Sequence, residues 1–536
     1  MKLDNFTAQA NQKLLETFGE AAKTCPPVSC QFPPAHIKAH VSIPWAMTAA
    51  KTFKKPPLEL AKLAAEAFKS IGMVSSVSVA PPGYVNVEFS EDAVFETLGN
   101  AAFRLDNAPG EKILLEFVSA NPTGPLHLAS GRAAALGNGL VRIFRALGYD
   151  TSAEYYINDT GAQAKLLGVS LKARYEGKEP PEDGYQGDYL RDMAKELPPE
   201  ASGWNSEQFS AFAIEKLLET HKRDMAGCRV SFNRWFRESE LHQSGAVMQT
   251  LEELKRRGKT YEKDGAVWFG STAEESADDD KDRVLVRADG RPTYFLTDLA
   301  YHRDKLSRAQ RLINILGADH HGYVPRMKAG MSALGMPPEN LEFIVHQMVL
   351  LNKGGVAVKM SKRAGEFVSL REILDDIGVD ACRFFFSLRA PNTHLNLDID
   401  LAKKRSQENP VYYVQYVHAR ICSIFKTAEE NGLKYGEEFA HHRIWADMAP
   451  QERALVCKLL WIDETLKLCA RDLTVHHLAN YLLELAGVFH QFYDNCRVVD
   501  KGSQQISMGR LFLCRATQSV VKSGLDLLGV SAPEQM

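Results

Sequence analysis

One histidine is followed by residues with small side chains, which would let a ligand come close to the backbone. In NPTGPLHLASGR, residues 121–132, a turn leads into His127, and small residues follow it, namely Ala129, Ser130 and Gly131. The N-terminus of a helix offers free N–H groups and a positive dipole end to phosphate. We therefore expect His127 to donate to a phosphate oxygen where a helix begins. The alternative is a closely packed core helix with a satisfied histidine.

A second stretch, VKMSKRAGEFVSL at 358–370, carries two lysines that bracket a Met-Ser pair: Lys359, Met360, Ser361 and Lys362. The preceding NKGGVAV is typical of a glycine-rich hairpin. Lysines on such a loop suit the neutralisation of a polyphosphate whose charge redistributes as a bond breaks. The alternative is a solvated basic turn.

The elements around these stretches alternate between strand and helix. KILLEFVS predicts a buried strand over 112–119, a helix follows from about 126 to 147, and GYDTSAEYYIND predicts a second strand. This order is typical of a doubly wound parallel sheet, which binds ligands at the carboxyl ends of its strands. Residues 165–280 are predicted to be mostly helical insertions. Residues 283–305 are expected to form a strand, a turn and a helix, and further strands are expected in 311–319 and 341–351.

The ends of the chain differ in character from this middle part. Residues 1–105 predict a small α+β unit, with LELAKLAAEAFKSIG as a helix and SVSVAPPGYVNVEFS as two strands around a turn. From about residue 406 the pattern is helical only. We therefore expect three domains: an α+β N-terminal domain over 1–105, a Rossmann-like α/β domain with helical insertions over 106–405, and an all-α domain over 406–536.

The overall composition is that of a globular protein without a secretion signal or a membrane-spanning segment, and it does not indicate a specific function. The chain has 536 residues, a net charge of −3, 45% hydrophobic and 24% charged residues, which is ordinary for a globular protein. Nine cysteines without a Cys-x-x-Cys pair favour a reduced compartment and no structural zinc. The N-terminus lacks the apolar core of a signal peptide, and no apolar run is long enough to span a bilayer. A cytoplasmic location is expected.

The histidine and lysine motifs, in this order and separation, resemble the two signatures of class I aminoacyl-tRNA synthetases. The flanks resemble arginyl-tRNA synthetases in particular: EFVSANPTGPLH, PTYFLTDLAYH, GADHHGYVPRMKA and KMSKRAGEFVSLREIL in the middle of the chain, and NPVYYVQYVHARICSI and YLLELAGVFHQFYDNCRV near its end. The resemblance covers essentially the whole chain. It implies ATP, magnesium, L-arginine and tRNA(Arg) as reactants and partners, no membrane, and a monomer.

The resemblance also implies roles for individual residues. His127, Lys359 and Lys362 are expected to be catalytic. The expected ATP-binding set is His127, Ser130, Gly131, Lys359, Met360, Ser361 and Lys362. The expected arginine-binding set is Glu116, Ser119, Asn121, Tyr294, Asp298 and His320.

Two of the expected carboxylates have structural alternatives. Tyr294 and Asp298 are four residues apart, so one helical face carries both. A carboxylate there can hold a guanidinium through two hydrogen bonds, which an ammonium cannot copy. A surface salt bridge is the alternative for Asp298, and a lysine or arginine partner at the strand end is the alternative for Glu116. The neighbouring His320 and His321 are weak evidence for a metal site, which is not expected.

The chain departs from the family pattern His-x-Gly-His, because Ala129 replaces the glycine and Ser130 the second histidine. We expect adenosine to bind still, with altered geometry or affinity. Two rival functions stay open. One is an adenylating ligase that needs no tRNA, against which the C-terminal helices argue. The other is an RNA-binding paralogue without catalysis, against which the intact motif residues argue. The C-terminal aromatics fit base stacking, or simply a helical core.

Overall fold

The computed structural model describes residues 3–34, 36–99, 110–270, 282–318, 322–357, 368–433, 448–500 and 502–536. Fourteen strands lie in these ranges: β1 Val41–Ile43, β2 Val74–Ala80, β3 Tyr84–Phe89, β4 Lys112–Glu116, β5 Asp150–Ile157, β6 Arg234–Arg237, β7 Thr260–Lys263, β8 Ala266–Phe269, β9 Arg283–Val286, β10 Arg311–Gly317, β11 Leu341–His346, β12 Val349–Lys353, β13 Val356–Ala357 and β14 Leu395–Asp398.

Twenty α-helices lie in the same ranges: α1 Leu3–Phe18, α2 Trp45–Phe53, α3 Pro57–Phe68, α4 Glu91–Gly99, α5 Leu128–Ala146, α6 Gly161–Tyr175, α7 Tyr189–Lys195, α8 Ser206–Gly227, α9 Glu238–Gln243, α10 Ala246–Arg256, α11 Tyr294–Arg308, α12 Tyr323–Ala333, α13 Leu370–Ile377, α14 Val379–Ser387, α15 Ile399–Lys403, α16 Pro410–Glu430, α17 Pro450–Leu459, α18 Ile462–Arg471, α19 His476–Asn495 and α20 Gln504–Leu527. No helix among the described residues is long and apolar enough to cross a membrane.

A five-stranded parallel sheet forms the centre of the molecule. Its strand order is β11-β10-β4-β5-β6. Successive strands are added on one side of β4 up to β6 and on its other side from β10 onward, so the strand order reverses at β4. Ligands bind beside such a reversal, outside the carboxyl ends of the strands. The stretch after β4, with His127, lies at this point. The predicted mixed α/β fold is confirmed.

The prediction that residues 165–280 are mostly helical insertions is wrong in one respect, because one strand in this stretch belongs to the central sheet. β6 returns to the central sheet and pairs in parallel with β5, which makes it the edge strand. β7 and β8 join β9 in a separate antiparallel sheet. The stretch 341–351, expected as one strand, contains β11 and β12, which belong to different sheets. Short apolar runs do not reveal such a change of partner.

The N-terminal unit has the predicted helix and strand pair, and a third strand joins them. Its antiparallel sheet has the order β1-β3-β2. Contacts tie it to the helices near the other end of the chain: Arg453 pairs with Glu88 at 2.7 Å, and Phe95 stacks on Phe512 with ring centroids 4.1 Å apart.

Beyond residue 406 the described elements are helices, as expected. Two of these helices, α17 and α18, follow each other closely and are separated at Trp461. The indole of Trp461 donates to the backbone oxygen of His40 at 3.3 Å, so the residue between the two helices contacts the N-terminal unit.

Candidate active site

The first strand of the site ends earlier than the sequence predicts. β4 stops at Glu116 because Val118 and Ser119 adopt left-handed backbone angles, with φ of 70° and 42°. A β-branched residue with positive φ is strained, and such strain persists only where the surrounding contacts impose it. The chain is thereby turned out of the sheet toward the crevice.

Side chains from β5, α7 and α8 hold the turn that follows. The Tyr155 hydroxyl donates to the Ala120 oxygen at 3.0 Å, the Tyr189 hydroxyl donates to the Thr123 oxygen at 2.6 Å, and His221 Nε2 lies 2.8 Å from the Gly124 oxygen. Burial lowers the pKa of His221, which favours a neutral ring that donates to this carbonyl. Sequence reasoning missed these three residues, because they are far from the turn along the chain.

His127 lies where α5 begins. It is the N-cap residue, with extended backbone angles, and its side chain makes no capping hydrogen bond. Its backbone forms an isolated bridge with Ser369, and Leu370 N donates to Leu126 O at 2.8 Å. The chain that follows the lysine motif therefore passes directly beside His127.

The small residues of α5 serve more than one purpose. Ala129 and Ser130 are half-buried in its first turn, whereas Gly131 is buried. A Cβ on Gly131 would lie 2.6 Å from the Leu370 side chain, and one on Gly137 would lie 2.2 Å from the Phe117 ring. Close packing thus accounts for both glycines, which agrees with the alternative of a closely packed core helix. ATP binding by Gly131 stays a prediction.

Gly137→Ala is expected to lower the melting temperature, because the added methyl overlaps the buried Phe117 ring and costs about 1–3 kcal/mol of stability. This exceeds the helix-propensity gain of about 1 kcal/mol. Gly487→Ala is the matched control, since its Cβ would meet only the Tyr413 hydroxyl at 3.6 Å. Thermal unfolding of both variants checks the prediction, and equal melting temperatures would contradict it.

Glu116 is held by partners within the fold. Its Oε2 accepts from the fully buried Lys305 at 2.6 Å, and its Oε1 accepts from the Ser119 hydroxyl at 2.9 Å. Lys305 also donates to Asn314 on the neighbouring strand at 2.5 Å. The alternative that the sequence left open for Glu116, a basic partner at the strand end, is therefore present in the structure. Ser119 links this group to β5, since its Oγ accepts from Tyr156 N at 3.1 Å.

Two further carboxylates converge on the same crevice. Glu238, which directly follows β6, accepts from the Tyr156 hydroxyl at 2.7 Å and from the Thr160 hydroxyl at 2.6 Å. Asp298 lies on α11 and accepts a hydrogen bond from Tyr323. Burial raises the pKa of Tyr156 well above its usual range, and the charges of Glu238, Asp298 and Glu116 push it the same way. The three carboxylates are thus close enough to affect one phenol.

The ionisation of Asp298 reflects this crowding. Burial raises the pKa of its carboxyl to about 7, against the hydrogen bond from Tyr323, and Glu238 and Glu116 add to the rise more than Arg326 offsets it. Glu238 accepts hydrogen bonds from two neutral hydroxyls and lies 3.6 Å from His242 Nε2, and Glu116 alone of the three carboxylates pairs with a buried lysine. A cation entering the crevice would therefore relieve repulsion between carboxylates.

Sequence reasoning missed Glu238. The available signal was its position: Glu116 ends β4 and Glu238 follows β6, so both lie at the carboxyl edge of one parallel sheet. The signal was hidden because β6 was assigned to a helical insertion.

The other expected arginine ligands lie around the same crevice where they are described. Tyr294 is 53% exposed and lies one turn before Asp298. Asn121 is exposed and donates to Gln163 at 2.7 Å, at the start of α6. His320 and the lysine motif, Lys359, Met360, Ser361 and Lys362, lie outside the described residues.

Comparison with known proteins gives the family. Residues 5–89 match the arginyl tRNA synthetase N terminal domain, and residues 414–536 match the DALR anticodon binding domain. The arginine–tRNA ligase of Shouchella clausii is 42% identical over 516 residues, which cover 92% of this chain and 91% of the relative. The solved structure of the Thermus thermophilus arginyl-tRNA synthetase shares the fold, with a TM-score of 0.82 and 22% identity over 100% of both chains.

A stronger likeness extends along the entire sequence. The arginine–tRNA ligase of Elusimicrobium minutum is 52% identical over 538 residues, which cover 100% of both chains. The chain therefore belongs to the arginine–tRNA ligase family, which is a class I aminoacyl-tRNA synthetase family.

Proposed function

We propose that the protein attaches L-arginine to tRNA(Arg) with ATP, through an arginyl-adenylate. Family membership over the full chain supports this activity. The observation that carries it is the carboxylate crevice, with Asp298 and Glu238 at the carboxyl edge of the sheet beside the start of α5. A site with crowded carboxylates next to a helix N-terminus suits one cationic and one phosphate-bearing substrate.

The crevice would select arginine through its guanidinium group. We assign arginine binding to Glu116, Ser119, Asn121, Tyr294, Asp298 and His320, and add Glu238. Asp298 is the leading partner, because a planar guanidinium can satisfy both oxygens of one carboxylate. The charge of Glu116 is already paired with Lys305. Glu116 would therefore act on the bound arginine through the electrostatic potential of the crevice and by positioning neighbouring groups, more than through a direct ion pair.

ATP would bind with its phosphates at the start of α5. We assign this site to His127, Ser130, Gly131, Lys359, Met360, Ser361 and Lys362, with magnesium arriving on the phosphate oxygens of ATP. The arginine carboxylate attacks the α-phosphorus, and the bond to pyrophosphate breaks. Positioning and electrostatic stabilisation suffice for this step, because the carboxylate is already a nucleophile. His127, Lys359 and Lys362 are the proposed catalytic residues.

The second step transfers the arginyl group to tRNA. A hydroxyl of the terminal ribose attacks the carbonyl carbon of the adenylate, AMP leaves, and the hydroxyl proton is released. We propose that the N-terminal domain, 1–105, and the helical domain, 406–536, hold the tRNA together with the catalytic domain, 106–405. The protein would act as a cytoplasmic monomer.

A cleft between α16 and α19 is the proposed anticodon contact. Tyr413, Tyr416 and Arg420 share one face of α16, and they face His490 and Tyr493 of α19 across this cleft. The Arg420 guanidinium donates to the Tyr493 hydroxyl and lies 4.6 Å from the centre of its ring. A cleft of about 680 Å³ continues from Arg420 toward Val499. Half-buried aromatics beside a cation suit unpaired bases.

Arg420→Ala is expected to raise the KM for tRNA about tenfold and to leave kcat within about twofold, since one stacked base is worth about 1–3 kcal/mol. Steady-state aminoacylation with varied tRNA checks this. Arg471→Ala, which changes an exposed arginine paired with Asp472, is the control. A fall in kcat without a change in KM would place Arg420 outside the tRNA contact.

Ser130→His restores the residue that the family pattern has at this position. We expect kcat to fall at least tenfold, because the first turn of α5 leaves Ser130 half-buried and an imidazole must displace its neighbours. Adenylate formation measured with wild type and Ser130→His checks this. Activity equal to or above that of wild type would show that the site accepts either residue.

The test of the proposed function is aminoacylation with purified protein, ATP, magnesium and tRNA. Labelled arginine is expected to enter tRNA, and labelled lysine is not. Adenylation of arginine without any transfer to tRNA would favour a tRNA-independent ligase. Tight tRNA binding with neither reaction would favour a non-catalytic RNA-binding protein.

A further inference from the structure

Arg383 is a buried cation with no carboxylate among its hydrogen-bond acceptors in the part of the chain that the structure describes. It lies on α14 and is 2% exposed. Its Nε donates to Leu528 O at 2.7 Å, Nη1 to Cys228 O at 2.7 Å, and Nη2 to Asn138 Oδ1 at 2.8 Å. Burying a charge is costly unless the charge is compensated, so this arrangement requires a physical account.

Two helix ends supply the compensation. Leu528 is the C-cap residue of α20 and Cys228 is the C-cap residue of α8, so both carbonyls lie at the negative end of a helix dipole. Burial lowers the pKa of Arg383 to about 9, which still leaves the guanidinium charged at neutral pH. The C-terminal ends of two helices that are distant in the sequence, α8 and α20, therefore stabilise the charged guanidinium of Arg383.

The chain after α20 is shaped around this guanidinium. Gly529 has φ of 69°, and a Cβ there would lie 2.3 Å from the Arg383 side chain. Two residues on, Ser531 N donates to Asp380 at 3.0 Å, and Arg229 pairs with the same carboxylate at 2.6 Å. The end of the chain is thus fixed against α14 by Asp380, whose charge favours the charged form of Arg383 but which accepts no hydrogen bond from it.

The third acceptor, Asn138, lies on α5, the helix that begins at His127. Asn138 is ten residues into α5, about 15 Å from its first residue at 1.5 Å per residue. Arg142 reinforces the link, since it donates to Asn138 Oδ1 at 3.1 Å and to Asp526 O on α20 at 2.7 Å. A rigid helix thus runs from the proposed phosphate site to the last helix of the chain.

We propose that Arg383 is a positioning residue, which fixes α5, and with it His127, relative to the C-terminal helices that would seat the tRNA. The proposal rests on the proposed function and names the contact through which those helices act on it. Arg383 reaches α5 at Asn138, away from the proposed phosphate site, so its loss is expected to change the placement of His127 and to leave the binding of arginine and of tRNA unchanged. A misplacement of about 1 Å at a reacting group can cost about a hundredfold in rate.

The test compares Arg383→Lys and Arg383→Met with Arg453→Met. Lysine keeps the charge but cannot reach three acceptors with a fixed fork, and methionine removes the charge. Arg453 is a half-buried arginine that joins α17 to β3 and does not contact α5, so its variant loosens the C-terminal helices elsewhere. Each variant is measured well below its melting temperature, for kcat, for the KM for arginine, and for tRNA dissociation constant.

Both Arg383 variants are expected to lower kcat about tenfold to a hundredfold, with the arginine KM and the tRNA dissociation constant within about twofold of wild type. Arg453→Met is expected to keep the wild-type kcat. A wild-type kcat in folded Arg383→Lys and Arg383→Met would overturn the proposal, as would a loss of kcat matched by loss of tRNA binding. If Arg383→Met does not fold, Gly529→Ala displaces the guanidinium instead, and a normal kcat there would overturn it equally. Failure of the wild-type protein to charge arginine would instead refute the proposed function.

Discussion

Asp298→Asn is expected to lower kcat/KM for arginine about a hundredfold to a thousandfold. The amide keeps the size of the carboxylate but removes the charge that would face the guanidinium, and leaving one member of a buried ion pair without its partner costs about 3–5 kcal/mol. The loss should appear mainly in the KM for arginine. Steady-state aminoacylation with varied arginine checks it, and a change below about fivefold would remove Asp298 from the arginine site.

The matched control is Asp304→Asn on the same helix. Asp304 pairs with Arg308 at 2.7 Å and is about as exposed as its partner. Its variant removes the same charge from the same helix and is expected to keep wild-type kinetics. Equal losses of kcat/KM in both variants would mean that arginine binding depends on the total negative charge of α11 and not on the position of Asp298.

The same carboxyl gives the reaction a pH dependence. With a pKa of about 7 in the free protein, Asp298 is protonated below neutral pH and ionised above it. Since the guanidinium stays charged throughout, kcat/KM for arginine should rise with pH through about 7 and then level off. Asp298→Asn should lose this rise. A flat wild-type profile between pH 6 and 8 would show that substrate binding does not depend on this ionisation.

Stability should move in the opposite direction. A carboxyl whose pKa is raised by folding, here from 3.8 to about 7, binds more protons in the native state than in the unfolded chain between these values. Its contribution to stability therefore falls as pH rises through this window. Asp298→Asn avoids that cost, so at pH 8 its melting temperature should equal or exceed that of wild type while its activity is lost. Crowded carboxylates kept at the expense of stability are typical of a functional site.

The sequence predicted the order of elements around the site well, because helix and strand periodicity are local. α5 begins and ends within two residues of expectation, and β5 lies inside the predicted strand. The early end of β4 was not predictable from periodicity, since the apolar residues Phe117 and Val118 continue beyond the last residue of the strand, Glu116. Long-range hydrogen bonds from Tyr155, Tyr189 and His221 to the following turn decide where the strand stops.

The chemistry of the site was less accessible from the sequence than its location. Glu116 was predicted as a ligand with a basic partner as the alternative, and only the fold brings Lys305 from 189 positions away. Glu238 became visible only once β6 was placed in the central sheet. The pKa of Asp298 depends on Glu238, Tyr323 and Arg326, which lie on other elements. Charges that meet only in three dimensions leave no local pattern.

His127→Ala is expected to slow adenylate formation about a hundredfold to a thousandfold, the range for loss of one preorganised donor at a developing charge. His127 is the N-cap residue of α5 but makes no side-chain cap, so alanine there should cost about 1 kcal/mol or less in stability. The backbone hydrogen bond from Leu370 N to Leu126 O does not involve the imidazole and keeps the start of the helix in place.

Single-turnover measurements separate the two steps that His127 could serve. If the imidazole neutralises charge on the phosphates as pyrophosphate leaves, His127→Ala slows adenylate formation but transfers arginine from added arginyl-adenylate at close to the wild-type rate. The transfer reaction is thus an internal control for folding and for tRNA binding. Equal slowing of both steps would instead assign His127 to the shared adenosine site. In that case the free N–H groups of α5, together with Lys359 and Lys362, would have to supply the phosphate charge compensation alone.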